Sequence, residues 1–498
     1  MNKPRSGNYK TGFFLLLLTA AALLIHGYHP YAEDAEIYLP GVERSLNPQL
    51  FPVGREFFQS HARMTLFPNL VAWSLQVSHL HFELGLFVWH VASIFLLLLA
   101  CRQLSGILFS TPRARWGAVS LIAALLTIPV AGTALYIMDQ YLNPRNLAAF
   151  AGVFAVTRML EKKYTRAALW LIFAACMHPL MFVFPFSFCV LWFVLDKLAG
   201  RPRSAITQAS KVPAFACLAL LWIPLAPRAS RAYQEAARAH AYHYIQHWQW
   251  YEWLGIVAPL VLLWYFGRIA QARQWLVLGR ACRAFVIYGV VYFAASLAID
   301  LPARFESFAR LQPLRSLLLL YVFLFLCVGG FLGEYVLKDR WWSWVALFLP
   351  LSLGMFIAQR SLFPASDQVE WPGHVPKNPW AQSFIWIRQN TAVDSVFALD
   401  PRYMHIAGED EIGFRCLTQR SRLPDAVKDN GVVSMFPLLA ETWWDQVQAE
   451  SPWKAFQAAD FERLKQKYGV TWVVLQQPGI TGVNCEYQNA AVRVCSVP

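Results

Sequence analysis

The amino-acid sequence predicts a polytopic α-helical membrane protein with a small α/β domain at its C-terminal end. Three observations carry this. Hydrophobic residues make up 57% of the 498 and charged residues only 15%, where a soluble domain carries roughly 25% charged. Eleven apolar runs succeed one another before residue 365. The remaining residues, 366–498, are of mixed polarity, with helical and strand-like segments in alternation.

The first run, Thr11 to Gly27, follows Lys3, Arg5 and Lys10. Ala20-Ala21-Ala22 would suit a cleaved signal peptide, but the apolar run continues through Leu23-Leu24-Ile25, which favours a retained helix. A long first external loop follows, 28–81. It opens on Tyr31-Ala32-Glu33-Asp34-Ala35-Glu36. Its apolar residues, from Phe51 through Phe57-Phe58, Met64, Phe67, Leu70 and Val71 to Trp73, suit helices lying in the interface plane. Further runs begin near Phe82, Trp116, Asn146, Arg166, Leu180, Val212, Glu252, Ala284, Arg315 and Trp341. Several fall short of the ~20 residues that span a bilayer upright. Arg166 to Lys197 reads as two short helices turning at His178-Pro179.

Alternating the eleven spans places twenty Lys and Arg in cytoplasmic loops and ten in the longer external loops before residue 360. That is the direction of the positive-inside rule. The net charge of +13 is therefore read as a topology signal, not as a nucleic-acid surface. It places the tail outside the membrane, opposite the N-terminus. In the tail, Ala381–Asn390 and Phe461–Tyr468 read as helices, and Ser395–Leu399 and Val470–Leu475 as strands. Cys485 and Cys495 could pair as strand neighbours in an oxidising compartment, leaving Cys416 free. The six cysteines before residue 330 read as small hydrophobes, without metal spacing.

The polar chemistry lies in the external loops. Asp34 or Glu33 reads as a helix cap or as a functional carboxylate. Asp139 and Arg145 either pair with each other or serve separately. If Asp139 faces Asp34, the two could hold a divalent metal or an acceptor hydroxyl. His178 is a buried turn histidine or a substrate contact. His240, His243 and His247 would share a helix face, or belong to an aromatic belt with their Trp and Tyr neighbours. Arg304, Arg310 and Arg315 suit phosphate, which a guanidinium holds with two bonds, or else pair with lipid headgroups, Asp300 and Glu306.

Several short motifs follow one another along the chain: Glu33-Asp34 with Tyr38-Leu39-Pro40, Asn143-Pro144-Arg145, His178-Pro179-Leu180-Met181, Gln312-Pro313-Leu314-Arg315, Gly413-Phe414-Arg415 through Arg420-Ser421, and Lys467-Tyr468-Gly469-Val470. In this order they resemble the GT-C fold glycosyltransferases, integral membrane enzymes that use polyprenyl-phosphate-linked sugars. The resemblance implies Asp34, with Glu33 as rival, as the first-loop carboxylate that acts as general base or metal ligand. Asp139 takes the second-loop acidic position. Arg145, Arg304, Arg310 and Arg315 become candidates for donor phosphate. It further implies an inverting transfer at the outer face of a bacterial cytoplasmic membrane, with Mg or Mn as a candidate cofactor. Glu-Asp stands in place of an Asp-x-Asp triplet, so the acting carboxylate and the metal requirement stay open. Sugar and acceptor are unread. A transporter or flippase would place charges at helix midpoints, and an assembly protein would not need Glu33, Asp34 or Asp139.

Overall fold

The structure, a computed structural model, describes residues 6–199, 230–240, 242, 244–300, 308 and 310–497. The run at Val212, together with His243 and Arg304, lies outside the described residues. Helix α1 is Ser6–His26. The first loop folds into α2 (Ala35–Leu46), α3 (Glu56–Met64) and α4 (Phe67–Ser78). There follow α5 (Phe82–Leu108), α6 (Pro112–Ala124), α7 (Pro144–Leu160), α8 (Tyr164–Met177), α9 (Pro179–Ala199), α10 (Arg231–Arg238), α11 (Trp250–Ala272), α12 (Leu276–Asp300), α13 (Leu317–Phe331) and α14 (Trp341–Leu362).

Seven helical stretches among the described residues are long and apolar enough to cross a membrane: Tyr9–His26, Phe82–Leu108, Pro179–Leu198, Trp250–Ala272, Leu276–Asp300, Pro313–Leu337 and Trp341–Leu362. The expected count of eleven is thus met by seven in length. Helices α6, α7 and α8 hold only 13, 17 and 14 residues. Helix α7 is buried on all sides. It contacts α5, α8 and α9, so protein rather than lipid sets its length. The expected first-loop helices are present, and Phe51, Phe57, Phe58, Phe67 and Val71 are buried beneath them. Met64 and Trp73 stay exposed.

The turn at His178-Pro179 forms as read. His178 is extended (φ −154°), as a residue before proline prefers, and Pro179 opens α9, where its missing N–H is no loss. At 21 residues, α9 is not short.

Helices α6 and α13 meet backbone to backbone. A Cβ on Gly117 would stand 2.4 Å from the Gly329 carbonyl oxygen, one on Gly329 2.4 Å from that of Gly117, and one on Gly333 2.4 Å from that of Arg113. Small residues at such spacing let membrane helices approach closely. Gly329→Leu is expected to force the pair apart and to cost about 1–3 kcal/mol or more, read as a lowered thermal midpoint in nanodiscs, whereas Gly354→Leu, where the Cβ meets nothing within 4 Å, should leave it unchanged.

The C-terminal part is an α/β unit. Its helices include α15 (Pro379–Asn390), α16 (Asp429–Met435), α17 (Ala440–Glu450) and α18 (Ala458–Tyr468). The strands are β1 (Val396–Leu399), β2 (Ser421–Arg422), β3 (Trp472–Gln476), β4 (Asn484–Gln488) and β5 (Val492–Ser496), in the order β2-β1-β3-β5-β4. Strand β1 is parallel to β2 and β3, while β5 is antiparallel to β3 and β4. All four residues of β1 are buried, as a strand covered on both faces requires. Phe397, Leu399 and Val474 join the main core with Phe384 and Ile387 of α15. Ala398, Val473 and Leu475 pack with Phe461 and Leu464 of α18. A disulfide joins Cys485 to Cys495 across β4 and β5, and Cys416 is free and buried.

Candidate active site

A cavity of about 570 Å³ opens where the loops at one end of the helix bundle meet the C-terminal unit. Its floor comes from helix ends: Glu33 and Asp34 at the entry to α2, Arg145 in the first turn of α7, His178 between α8 and α9, and Arg315 just before α13. Its roof comes from the C-terminal unit, through Arg402, His405, Glu411 and the stretch Lys428 to Phe436.

Arg145 is set by local sequence. Asn143 caps α7, its side-chain oxygen accepting the N–H of Asn146 at 3.0 Å, and Pro144 occupies the first helical position. This aims the guanidinium between two carboxylates. Its Nη1 donates to Asp34 Oδ2 at 2.7 Å, and Nη2 and Nε donate to Asp139 Oδ2 at 3.0 and 3.3 Å. Asp34 stands at the N-cap position of α2, yet its side chain makes no capping bond. The carboxylate serves Arg145 instead. Asp139 is buried, accepts from Asn143 as well, and does not line the cavity.

Asp139 takes one of the two arrangements the sequence left open: it pairs with Arg145 and stands outside the cavity lining. Asp34 and Asp139 do not form a metal pair, because a guanidinium occupies the space they share, and a cation there repels another. Among the described residues no group of three or more His, Cys, Asp or Glu side chains is placed to hold a metal.

Glu33 holds a left-handed backbone (φ +51°), an uncommon state for a residue with a side chain. Its N–H donates to the Glu411 carbonyl at 2.8 Å. Lys428 Nζ lies 3.1 Å from Glu411 Oε2, 3.6 Å from Asp34 Oδ1 and 3.8 Å from Glu33 Oε2. The adjacent carboxyls titrate apart. Burial opposes ionisation of Asp34, but Arg145 and Lys428 outweigh it and hold Asp34 well below the usual carboxylate range. Burial pushes Glu33 up to about 7, with Lys428 opposing and Glu411 and Asp34 reinforcing the rise. The three carboxylates keep Lys428 charged against its own burial. Burial lowers His61 and His240 to about 4, so both are neutral near pH 7.

The lining therefore holds four cationic groups, Arg145, Arg315, Arg402 and Lys428, against Glu33, Asp34 and Glu411. Arg315 has no carboxylate within 4 Å among the described residues, and its buried Nε has no hydrogen-bond partner there. It also borders an apolar groove between α7, α9 and α13, lined by Ala148, Gly152, Met181, Pro185 and Leu318. Arg310 is absent from the cavity lining.

His240 lines the cavity, but α10 ends at Arg238 and His247 sits on a separate 3-10 turn. The spacing therefore does not build one helical face from these two. Sequence reasoning missed Glu411, Lys428, Arg402, His405 and His61. The run Glu409-Asp410-Glu411 was the one available signal.

The roof is tied to the floor by buried charges. Glu36 of α2 accepts from the Arg415 N–H at 2.7 Å, from Arg415 Nη1 at 3.3 Å and from Arg422 Nε at 2.9 Å. Arg415 is bidentate to Asp429, both bonds at 2.9 Å, and Arg422 pairs with Asp425. Asp429 directly follows Lys428, so this network sets where the lysine stands.

Structure comparison finds the Archaeoglobus fulgidus oligosaccharyltransferase. Its apo form matches with a TM-score of 0.48 and 11% identity, over 93% of this chain and 69% of that one. The archaeal oligosaccharyltransferase AglB with an inhibitory peptide and a dolichol-phosphate matches at 0.47 and 10%, over 94% and 70%. The complex with Zn and sulfate matches at 0.47 and 11%, over 93% and 67%. No protein-family model matches the chain, and no curated protein matches it by sequence.

Proposed function

We propose that this chain is a GT-C-type glycosyltransferase that moves a sugar, with inversion, from a polyprenyl-phosphate donor to an acceptor hydroxyl at the outer face of a bacterial cytoplasmic membrane. The observation that carries this reading is the pairing, in one cavity, of a carboxyl pushed up to about 7 with a guanidinium, Arg315, that no carboxylate of the described residues neutralises. Glu33 takes the acceptor proton, because a base is most effective with a pKa near the working pH. Asp34 stays ionised and orients Arg145. As the sugar leaves, charge grows on the phosphate, and Arg315, Arg145 and Lys428 offer preorganised stabilisation. The groove beyond Arg315 suits the lipid tail.

On this reading the residues from 366 onward are an extracytoplasmic domain that completes the site, and residues 1–365 are the membrane domain. The acting carboxylate shifts from Asp34, the first choice from the sequence, to Glu33. No step is routed through a metal, since Arg145 and Lys428 already hold the carboxylates.

The test is transfer, or donor hydrolysis, by purified protein in nanodiscs with a panel of polyprenyl-phosphate sugars. Wild type should turn over at least one donor. Arg315→Gln should lower kcat/KM by about 10²-fold or more, the scale of losing one preorganised donor to a developing oxyanion. Asp34→Asn should also be impaired, through a loosened Arg145. Donor binding without turnover would favour a transporter or flippase, and neither binding nor turnover an assembly protein.

A further inference from the structure

We propose that the turn Trp371 to Val375 of the C-terminal unit lies in the headgroup boundary of the bilayer that α5 crosses, and anchors that unit to the membrane surface. Local sequence makes the turn. Pro372 and Gly373 take its two central positions, Gly373 at φ +79°, and the His374 N–H donates to the Trp371 carbonyl at 3.1 Å. This is a type II turn, which favours proline first and needs glycine second. It leaves the Val375 side chain 81% exposed and Trp371 47% exposed. Pro376 follows, so the exposed stretch is held between two prolines.

Contacts to α5 fix the depth of the turn. The Gly373 N–H donates to Glu83 Oε2 at 2.9 Å, and the Trp371 ring packs on Phe87 with centroids 5.6 Å apart. Helix α5 holds 27 residues and is therefore about 40 Å long, against a hydrocarbon core of about 30 Å. Centred in the bilayer, it rises about 5 Å above the core at each end. Phe87 stands about 7.5 Å from its start, just below that boundary. Trp371 beside it is at the level where tryptophan concentrates.

The helical wheel sets the turn next to lipid. At about 100° per residue, Gly85 and Trp89 point to one side of α5, and Glu83 and Phe87 to the opposite side. The first side carries α4: Leu75 packs against Gly85, and Trp89 Nε1 donates to Ser74 Oγ at 2.8 Å. The second carries the turn. On the inner face between them, Leu86, His90 and Ser93 are buried. On the outer face, Leu84 and Val88 are 39% and 46% exposed, and this is the face left for acyl chains. Trp73 and Val77 of α4 are exposed as well. Val375 and Trp371 thus continue an apolar surface that meets the bilayer, unlike the singly scattered hydrophobes of a soluble surface. The polar groups nearby have partners. Two N–H groups of the turn are bonded, as a backbone near lipid requires. Glu370 meets His29 at 2.9 Å, and Lys377 pairs with Asp367 at 2.6 Å.

The anchor goes beyond the transfer reading and does not depend on it. The experiment is power-saturation EPR of a nitroxide at Val375→Cys, on the full-length protein in phosphatidylcholine nanodiscs. The two relaxants are oxygen, which concentrates in the bilayer, and a water-soluble nickel chelate. Val88→Cys on α5 supplies the lipid reference, and Gln466→Cys, exposed on α18, the aqueous one. Unsubstituted protein supplies the labelling blank. The Val375 label should be relaxed more by oxygen than by nickel, the reverse of the order at Gln466, and Glu33→Gln should leave this unchanged. Nickel access equal to that at Gln466 overturns the proposal. So does a label shielded from both relaxants, which would put a protein contact such as a second copy of this chain on the turn. An unchanged thermal midpoint shows that the label leaves the fold intact. Where the midpoint falls, His374→Cys in the same turn is read by the same criteria.

Discussion

Glu33→Gln is expected to lower kcat for sugar transfer by about 10²–10⁴-fold, the usual contribution of a positioned general base, with donor KM changed only a few-fold because the amide keeps the shape. The pH profile carries the sharper test. In wild type, log kcat/KM should rise with unit slope below about 7 and flatten above it, as Glu33 ionises. Lys428→Met should move that limb to higher pH, because Lys428 is what opposes the rise in the Glu33 pKa. The linkage sign agrees: a carboxyl raised from 4.5 to about 7 holds its proton more tightly in the folded state. Its contribution to stability is therefore present below about 4.5 and lost as pH rises through about 7. A flat profile across this range, or a Glu33→Gln variant as fast as wild type, would return the base to Asp34.

Arg415→Met should be the most damaging change outside the membrane helices. Arg415 is 1% exposed and binds Glu36 and Asp429, both fully buried. Removing it leaves Arg422 alone among the three buried carboxylates Glu36, Asp425 and Asp429, a loss of about 3–5 kcal/mol for a broken buried pair. The expected readouts are a lowered thermal midpoint and faster proteolysis after residue 365. Transfer should be lost as well, because Lys428 departs with the loosened roof. The double variant Glu36→Gln with Arg415→Met should recover part of the stability, since the two effects are coupled. Additive losses would show that Glu36 and Arg415 act independently and that the roof is held by its apolar contacts.

The membrane helices and the alternating tail were legible because both depend on patterns along the chain. Runs of apolar residues mark spans, prolines such as His178-Pro179 mark their starts, and short apolar runs such as Ser395–Leu399 and Val470–Leu475 between helical segments mark strands. The helix ends that carry Glu33, Asp34, Arg145, His178 and Arg315 could therefore be read in order as one face of the molecule. The short α7 shows the limit of that pattern, since a helix sheathed by protein need not match a bilayer.

What the sequence determined by itself was the class of the protein, the order of its apolar helices and the residue types available for chemistry. Their assignment was decided only by tertiary structure. Asp139 became an anchor because the turn into α7 aims Arg145 at it. Asp34 and Glu33, adjacent in sequence, diverged because Arg145 and Lys428 hold one ionised while burial pushes the other up to about 7. Lys428 and Glu411 entered the site because Glu36 binds Arg415 and Arg422 nearly four hundred residues away. Charge interactions depend on distance in space and on the medium between the groups, and neither is written in the order of residues along the chain.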